Sequence, residues 1–348
     1  MIIGACGYGG TGSSAAVDFL KEFDCIQALT RAESQYAFKV DGLQDLEYHL
    51  VKQYARQMSG DQAIARFLYA ARYARTPIVK RIVKSSKEYL RLTDEYANSL
   101  VQTTWMGIDN VDFETGNLLK SMVVLGFKKI IIPFYETHTG KLYNAWPMRK
   151  MYLSIEPEEF YEKTRKYTHN LLKASGADFS KMIVMDQPFE GNAPWQSFPF
   201  YDDPKAIVID RDPRDLYLAA SYQWPKDGTF MPRRDPEAFV QYFKQQRKYQ
   251  NELNDHENVL FLRLEDMIFD YDKSAKKIMD FVGLKQEQHK KKHKYFKPEL
   301  SMKGTQLYKK MPGHEKELEY LDKELSEFYF HFEEYEAAKK NNELFYID

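Results

Sequence analysis

The sequence predicts an α/β fold, a central parallel sheet with helices on both faces, and three observations carry that expectation. Four compact apolar runs, "MIIGAC", "KMIVMD", "KAIVID" and "VLFLRL", each lead into a turn or a helix start, as buried parallel strands do. Helical patterns alternate with these runs, which implies a sheet covered on both sides. The 348 residues show no repeat and no low-complexity linker. One domain over 1–348, with a mostly helical insertion at about 42–176, is therefore the economical organisation.

Taken in order, "MIIGAC" is a buried strand that runs into glycines. "SSAAVDFLKEF" places Ala15, Ala16, Phe19, Leu20 and Phe23 on one helical face behind a serine start. "CIQALT" reads as a second short strand. From Gly42 to Gly126 strand signals are lacking, and "YHLVKQYARQM" and "DQAIARFLYAARYA" read as helices. "FKKIIIPFY" predicts a return to strand, and "PEEFYEKTRKYTHNLLKASG" a helix ending near Gly176. After the late strands, "HKKKHKYFKPELSMKG" is basic and punctuated by Pro and Gly, and a charged helix fills about 314–340.

Composition narrows the class. With 43% hydrophobic and 15% aromatic residues the chain can bury a large core. Fifty basic residues nearly cancel 51 acidic ones, so no global field recruits nucleic acid or an anionic surface. The two cysteines, Cys6 and Cys25, suit a reducing interior better than a disulfide framework. The longest apolar stretch, "MVVLGFKKIIIPFY", is broken by Lys128 and Lys129, so no membrane span is expected. A soluble cytoplasmic protein is the expectation, with no metal site and an oligomeric state the sequence does not specify.

The opening glycines admit two readings. As G-x-G-x-x-G, Gly7, Gly9 and Gly12 form a dinucleotide fingerprint, with Glu33 near the distance at which an acid would hold the ribose. As G-x-x-x-x-G-x-[ST], Gly7, Gly12 and Ser14 form a phosphate loop with Ser13 where a lysine is usual. Both use backbone amides and a helix N-terminus to hold an anion. "KAIVIDRDPRDLYLAASY" separates them. A buried strand delivers Arg211 to the same sheet edge as the glycine loop, Asp212 reads as an N-cap and Pro213 as the first helical residue. A guanidinium fixed there suits bidentate phosphate binding. Arg214 and Asp215 read as structural ion-pair partners.

On these motifs the chain resembles the sulfotransferases that use 3′-phosphoadenosine 5′-phosphosulfate (PAPS). The resemblance covers the first 35 or so residues and roughly 180–305, where "LFLRLEDMIFDYDKSAKKIMDFVGL" and "SMKGT" add to it. It implies a P-loop NTPase-like three-layer α/β sandwich. It also implies sulfuryl transfer from PAPS to an acceptor hydroxyl, with 3′,5′-adenosine bisphosphate (PAP) as product. Gly9, Gly10, Thr11, Gly12, Ser13 and Ser14 would hold the 5′-phosphosulfate. Arg211, a helix serine (here Ser221) and Lys303–Gly304 would hold the 3′-phosphate. The chain departs from the pattern in three places. Gly10 stands where many members carry a lysine, Asp186 where some carry another, and Ala219 where the helix serine usually falls.

The resemblance suggests Glu33, in "RAESQYAF", as the base that takes the acceptor proton, with the Ser13 and Ser14 hydroxyls on the leaving phosphate. His138, His49 and Asp186 are further base candidates, and Lys39 or Arg31 could replace the missing lysine charge. The "HKKKHK" run reads either as a solvated face or as a rim of the cleft. Trp105, Trp146, Tyr135, Tyr143, Tyr152 and Trp195 offer aromatic faces for an acceptor. A glycan or glycolipid is the first expectation, and a small alcohol, phenol or sterol the second. Two other classes compete: an ATP/Mg²⁺-dependent kinase on the same loop, and a nucleotide-binding protein without turnover.

Overall fold

The structure is a computed structural model that describes residues 1–29, 33–53, 55–73, 85–109, 118–143, 148–224, 230–341 and 343–344. Five strands, β1 (Ile2–Gly7), β2 (Ile26–Leu29), β5 (Met182–Asp186), β6 (Pro204–Asp210) and β7 (Val259–Arg263), pair in parallel in the order β2-β5-β1-β6-β7. Strands β3 (Thr103–Gly107) and β4 (Arg149–Leu153) form a separate antiparallel pair.

Period-two alternation builds the three layers. Ile3 and Ala5 on β1, Val184 on β5 and Ile207 and Ile209 on β6 face one side. There they pack on α1 (Ser13–Leu20) and on the helix Tyr271–Val282, which follows β7, through Ala16, Phe19, Leu20, Ile278 and Val282. Ile2, Cys6, Ile183, Met185, Ala206 and Val208 face the other side. They meet helices that lie between β2 and β5 in sequence: α2 (Gln57–Tyr73), α3 (Ser86–Ser99) and α4 (Phe160–Ala174). Each strand is thus apolar on both faces, which is why the sequence shows continuous apolar runs.

Four expectations fail locally, the first being "YHLVKQYARQM", where a π turn at Tyr48–Lys52 ends before the helix that begins at Gln57. "FKKIIIPFY" is helical: Leu118–Gly126, a π turn at Phe127–Ile131 and Ile132–Thr139 follow one another without a strand. The isoleucines that suggested a strand have no sheet edge to join, and Pro133, with no N–H, sits in the first turn of Ile132–Thr139. A strand does occur between Gly42 and Gly126, namely β3, which pairs with β4 rather than with the main sheet. The expected last helix stops at Leu325, and short turns with a one-turn helix at Glu336–Lys339 replace its second half. Cys6 and Cys25 are both free thiols.

Candidate functional site

The site lies beyond the carboxyl ends of β5, β1 and β6, where an open parallel sheet offers a crevice. The loop from β1 to α1 turns through left-handed backbone at Gly9, Gly10 and Gly12, the last serving as N-cap of α1. At Gly10 (φ +67°) a Cβ would lie 2.0 Å from the Trp224 ring. Only glycine accepts both that backbone conformation and that close approach.

Thr11 locks the loop to its neighbour strand. Its Oγ1 donates to the Ile209 carbonyl at 2.7 Å and accepts from the Tyr8 N–H at 3.1 Å. The hydroxyl is therefore spent internally, and Thr11 can offer a ligand only its amide. Gln187 braces the other side: its Oε1 accepts from the Gly7 N–H at 3.3 Å and its Nε2 donates to Ser13 Oγ at 3.0 Å. α1 begins with no side-chain cap and no acidic residue in its first turn, so its leading amides face the crevice under positive partial charge.

Arg211 follows β6 directly and is 8% exposed. Its guanidinium donates to the Gly10 carbonyl at 3.3 Å and to the Gly304 carbonyl at 2.5 Å, while Nε has no partner among the described residues. The flanking motif holds it in place. Asp212 caps the helix Pro213–Leu218 by accepting from the Arg214 N–H, and it also accepts from the Phe330 N–H. Arg214 pairs with Asp212 and stacks between Tyr308 and Tyr329. Asp215 accepts from the Gln306 and Leu307 amides, which docks the "SMKGT" segment beside Arg211. Burial, and then the Asp212 charge, lift the Asp215 carboxyl to about 7. Burial also lifts Glu265, which accepts from the Asp212 N–H, to about 7.

Two cavities meet at this arginine. The first, about 630 Å³, is lined by the glycine loop, Glu33, Asp186, Gln187, Glu190, Arg211, Trp224 and Phe230. The second, about 370 Å³, shares Gly12, Ser14, Arg211 and Trp224, and is completed by Ala219, Gln223, Lys297, Ser301 and Gly304. A third of about 300 Å³ adjoins the first through Glu33 and Gln35 and runs between Tyr36, Phe67, Tyr89 and Tyr167. Burial, reinforced by the nearby Glu33 charge, raises the Asp186 carboxyl above the usual carboxylate range, and burial raises Glu190 likewise.

The sequence candidates distribute unevenly over this space. Gly9, Gly10, Gly12, Ser13, Ser14, Glu33 and Arg211 line the first cavity, and Gly304 the second. Ser221 is not brought to either: it is fully buried, and its Oγ accepts from the Arg234 N–H at 3.0 Å. Ala219, two residues earlier and nearly opposite on the helix, takes the lining position. Lys303 points to Glu343, with Nζ 2.6 Å from its carboxylate. His138 is exposed on the Ile132–Thr139 helix, with Nδ1 2.8 Å from the Phe134 carbonyl, and lines none of these cavities. His49 does not line them either, and Lys39 lines the third. Arg31 and Trp146 lie outside the described residues.

The "HKKKHK" run is fastened to the body. His289 Nε2 lies 2.5 Å from buried Glu22, Lys291 pairs with Asp24 and Lys292 with Asp272 at 2.8 Å. Glu22 also accepts from the Tyr295 and Phe296 amides, and that anchor carries the next residue, Lys297, to the second cavity. Lys297, Gln187, Trp224 and Phe230 had no signal of their own in the sequence. Only the charge of the preceding run pointed toward the first of them.

Residues 189–345 match the family model described as a sulfotransferase domain. Among solved structures, the chain is similar to the sulfotransferase domain of the Synechococcus PCC 7002 olefin synthase. That likeness has 12% identity over 83% of this chain and 74% of that one, with a TM-score of 0.32. It is also similar to sulfotransferase STF1 from Mycobacterium tuberculosis H37Rv, with 10% identity over 88% and 76% and a TM-score of 0.33. No curated protein sequence matches the chain. The matched segment, residues 189–345, contains Arg211, its helix and the loop docked on it, and over that segment the chain is similar to the sulfotransferase domain.

Proposed function

We propose that the protein transfers a sulfuryl group from PAPS to an acceptor hydroxyl, with the glycine loop holding the 5′ end of the donor and Arg211 the 3′-phosphate. The observation that carries this reading is the position of Arg211, a buried guanidinium with an unpartnered Nε on the wall between two cavities that share the first turn of α1. One ligand bearing phosphates at both ends could occupy both. The residues suit such a ligand: the cradle at Gly10 would be filled by any side chain, and Lys297 adds a second cation on the Arg211 side.

PAPS supplies an activated sulfuryl group and a phosphate leaving group. The protein supplies the amides of Gly9 to Ser14 and the Ser14 hydroxyl to neutralise the charge gathering on the departing phosphate. The acceptor oxygen forms the new S–O bond as the S–O bond to the 5′-phosphate breaks, and the hydroxyl proton passes to a carboxylate. We assign that step to Glu33 and Asp186 acting together. Both line the first cavity, and the raised Asp186 carboxyl matches the task better than an ordinary one. Ser13 Oγ accepts from Gln187 Nε2, which ties the loop to β5, and its own O–H is left to donate.

The apolar third cavity beyond Glu33, walled by Tyr36, Phe67, Tyr89 and Tyr167, supports an acceptor whose hydroxyl sits on an apolar body such as a phenol, sterol or lipid alcohol. A free glycan has less to gain there. Thermal-shift measurements with PAP, with ATP plus Mg²⁺ and with NAD test the reading. PAP alone raises the melting temperature without metal. A response to ATP only with Mg²⁺ would put a kinase in its place, and turnover is then read with labelled donor.

A further inference from the structure

We infer that Gln187 is a positioning residue that aims the Ser13 hydroxyl proton at the departing phosphate, an inference that rests on the sulfuryl-transfer reading of the site. Gln187 is the residue after β5, and its backbone is left-handed, with φ +49°. Few side chains adopt that region, and those that do gather at functional sites. Its N–H still donates to the Ala5 carbonyl at 2.9 Å. A continuing parallel ladder would next bring the Gly7 N–H to the Gln187 backbone carbonyl. Here the side-chain Oε1 accepts that bond instead, at 3.3 Å. The turn thus replaces a backbone acceptor by a side-chain amide set against the glycine loop.

That exchange fixes which way the amide faces. The Gly7 N–H can only donate, so the atom against it is the carbonyl oxygen, and Nε2 is left facing Ser13 Oγ at 3.0 Å. A flipped amide would oppose two donors at Gly7. Because Nε2 can only donate, the Ser13 oxygen accepts, and its single O–H must point elsewhere. Ser13 is buried at the start of α1, so few acceptors are within reach. In the structure that acceptor is Asp186: burial raises its carboxyl, and the hydrogen bond from Ser13 partly offsets the rise. An anion seated on the loop amides is the second acceptor.

One proton cannot serve both. With the 5′ end of the donor on the loop, the Ser13 O–H turns to it from Asp186, and the carboxylate loses the bond that held it down. The cavity then gains its stronger base only when the group to be transferred is in place. Other side chains at 187 would not do this. Methionine would leave the Ser13 hydroxyl unaimed. Glutamate would still accept from the Gly7 N–H, but its second oxygen would draw the Ser13 proton to itself.

A double-mutant cycle on PAP affinity tests this by titration calorimetry of the full chain: wild type, Ser13→Ala, Gln187→Glu and the two combined. Ser13→Ala weakens PAP about 10- to 150-fold, the range of a hydrogen bond to a charged group. Gln187→Glu keeps the tie but reverses the Ser13 hydroxyl, so it loses at least as much, its added charge included. After Ser13→Ala only the charge effect remains, and the loss from Gln187→Glu shrinks by about tenfold or more. An equal factor in both backgrounds overturns the inference and leaves Gln187 as a brace. If Gln187→Glu does not fold, Gln187→Met takes its place. It weakens PAP about threefold more with Ser13 present than after Ser13→Ala, the factor lost when a hydroxyl chooses among three rotamers; equal factors again overturn the inference. Should ATP with Mg²⁺ or NAD, rather than PAP, raise the wild-type melting temperature, the sulfuryl-transfer reading fails and the cycle is run on that nucleotide. Coupling there keeps the role of Gln187 for another phosphate, and its absence removes both. No response to any of the three removes the anion on the loop and this inference with it.

Discussion

Replacing Arg211 by alanine separates a ligand-binding arginine from one that only props the loop. In the structure, Arg211 gives one hydrogen bond to the Gly10 carbonyl and one to the Gly304 carbonyl. Nε and the remaining hydrogens on both terminal nitrogens are left for an anion. A hydrogen bond to a charged group is worth about 1.5–3 kcal/mol, so loss of a bidentate phosphate contact should cost about 3 kcal/mol or more, roughly 150-fold in Kd. Losing the two carbonyl contacts should destabilise the fold by about 1–2 kcal/mol, which urea unfolding measures independently. Titration calorimetry of wild type and Arg211→Ala with PAP and with 5′-AMP forms a double cycle. PAP should lose roughly 150-fold and 5′-AMP only a few-fold, because 5′-AMP lacks the phosphate assigned to Arg211. Equal losses for both ligands would refute the assignment and leave Arg211 as a brace for the glycine loop. Arg211→Lys should recover only part of the loss, since a point charge does not reproduce the planar fork.

Asp186→Asn should lower kcat by about 10²-fold with little change in PAP affinity, and should move the acid limb of the pH–rate profile to lower pH. The direction follows from the raised Asp186 carboxyl: the base is lost as pH falls through an elevated value. Thr11→Val keeps the volume but removes the tie to Ile209 and the acceptor for Tyr8 N–H, and should cost about 1–3 kcal/mol by urea unfolding. Glu265 gives a stability prediction of opposite sign to an ordinary salt-bridged acid. Its carboxyl is raised to about 7 in the fold, so the folded state binds more protons than the unfolded chain from about pH 4 to 7. Its contribution is therefore lost as pH rises through that window. Between about pH 5 and pH 8.5 this group alone should cost about 3 kcal/mol. Glu265→Gln, which keeps the acceptor for Asp212 N–H, should flatten that part of the melting-temperature profile; an unchanged slope would contradict the buried, raised carboxyl.

What the sequence disclosed about the site follows from where backbone geometry alone determines position. Strands β1 and β6 were visible as apolar runs, and the residue after each strand end must lie on the same sheet edge. Gly7 to Ser14 and Arg211 could thus be brought together without a structure. Asp212 and Pro213 carry helix-start chemistry that is local, and the structure places both in that role, whereas Asp215, read as an ion-pair partner, instead accepts from the distant Gln306 and Leu307 amides. Contacts that span the chain had no such signal. Trp224 over Gly10 and Lys297 beside Arg211 depend on packing of distant segments. Ser221 shows the limit of a local motif: a displacement of two residues on a helix carried its hydroxyl from the cavity into the core. The Leu118–Thr139 helix defeated the strand reading because β-branched composition reports a half-buried pleated surface, and here Ile130 and Ile131 face water on a helix while only Ile132 is buried. The basic run at 289–294 could not be interpreted without knowing that Glu22 and Asp24, from the end of the first βα unit, lie against it.

The central claim is that one adenosine ligand with phosphates at both ends bridges the glycine loop and Arg211. A crystal structure of the protein with PAP, grown without divalent metal, tests it most directly. The account predicts the 5′-phosphate on the amides between Gly9 and Ser14 and the 3′-phosphate on the Arg211 guanidinium, with Ala219 and Lys297 beside it. A bisphosphate bound elsewhere, or bound at the glycine loop with Arg211 still turned only to the Gly10 and Gly304 carbonyls, would contradict it.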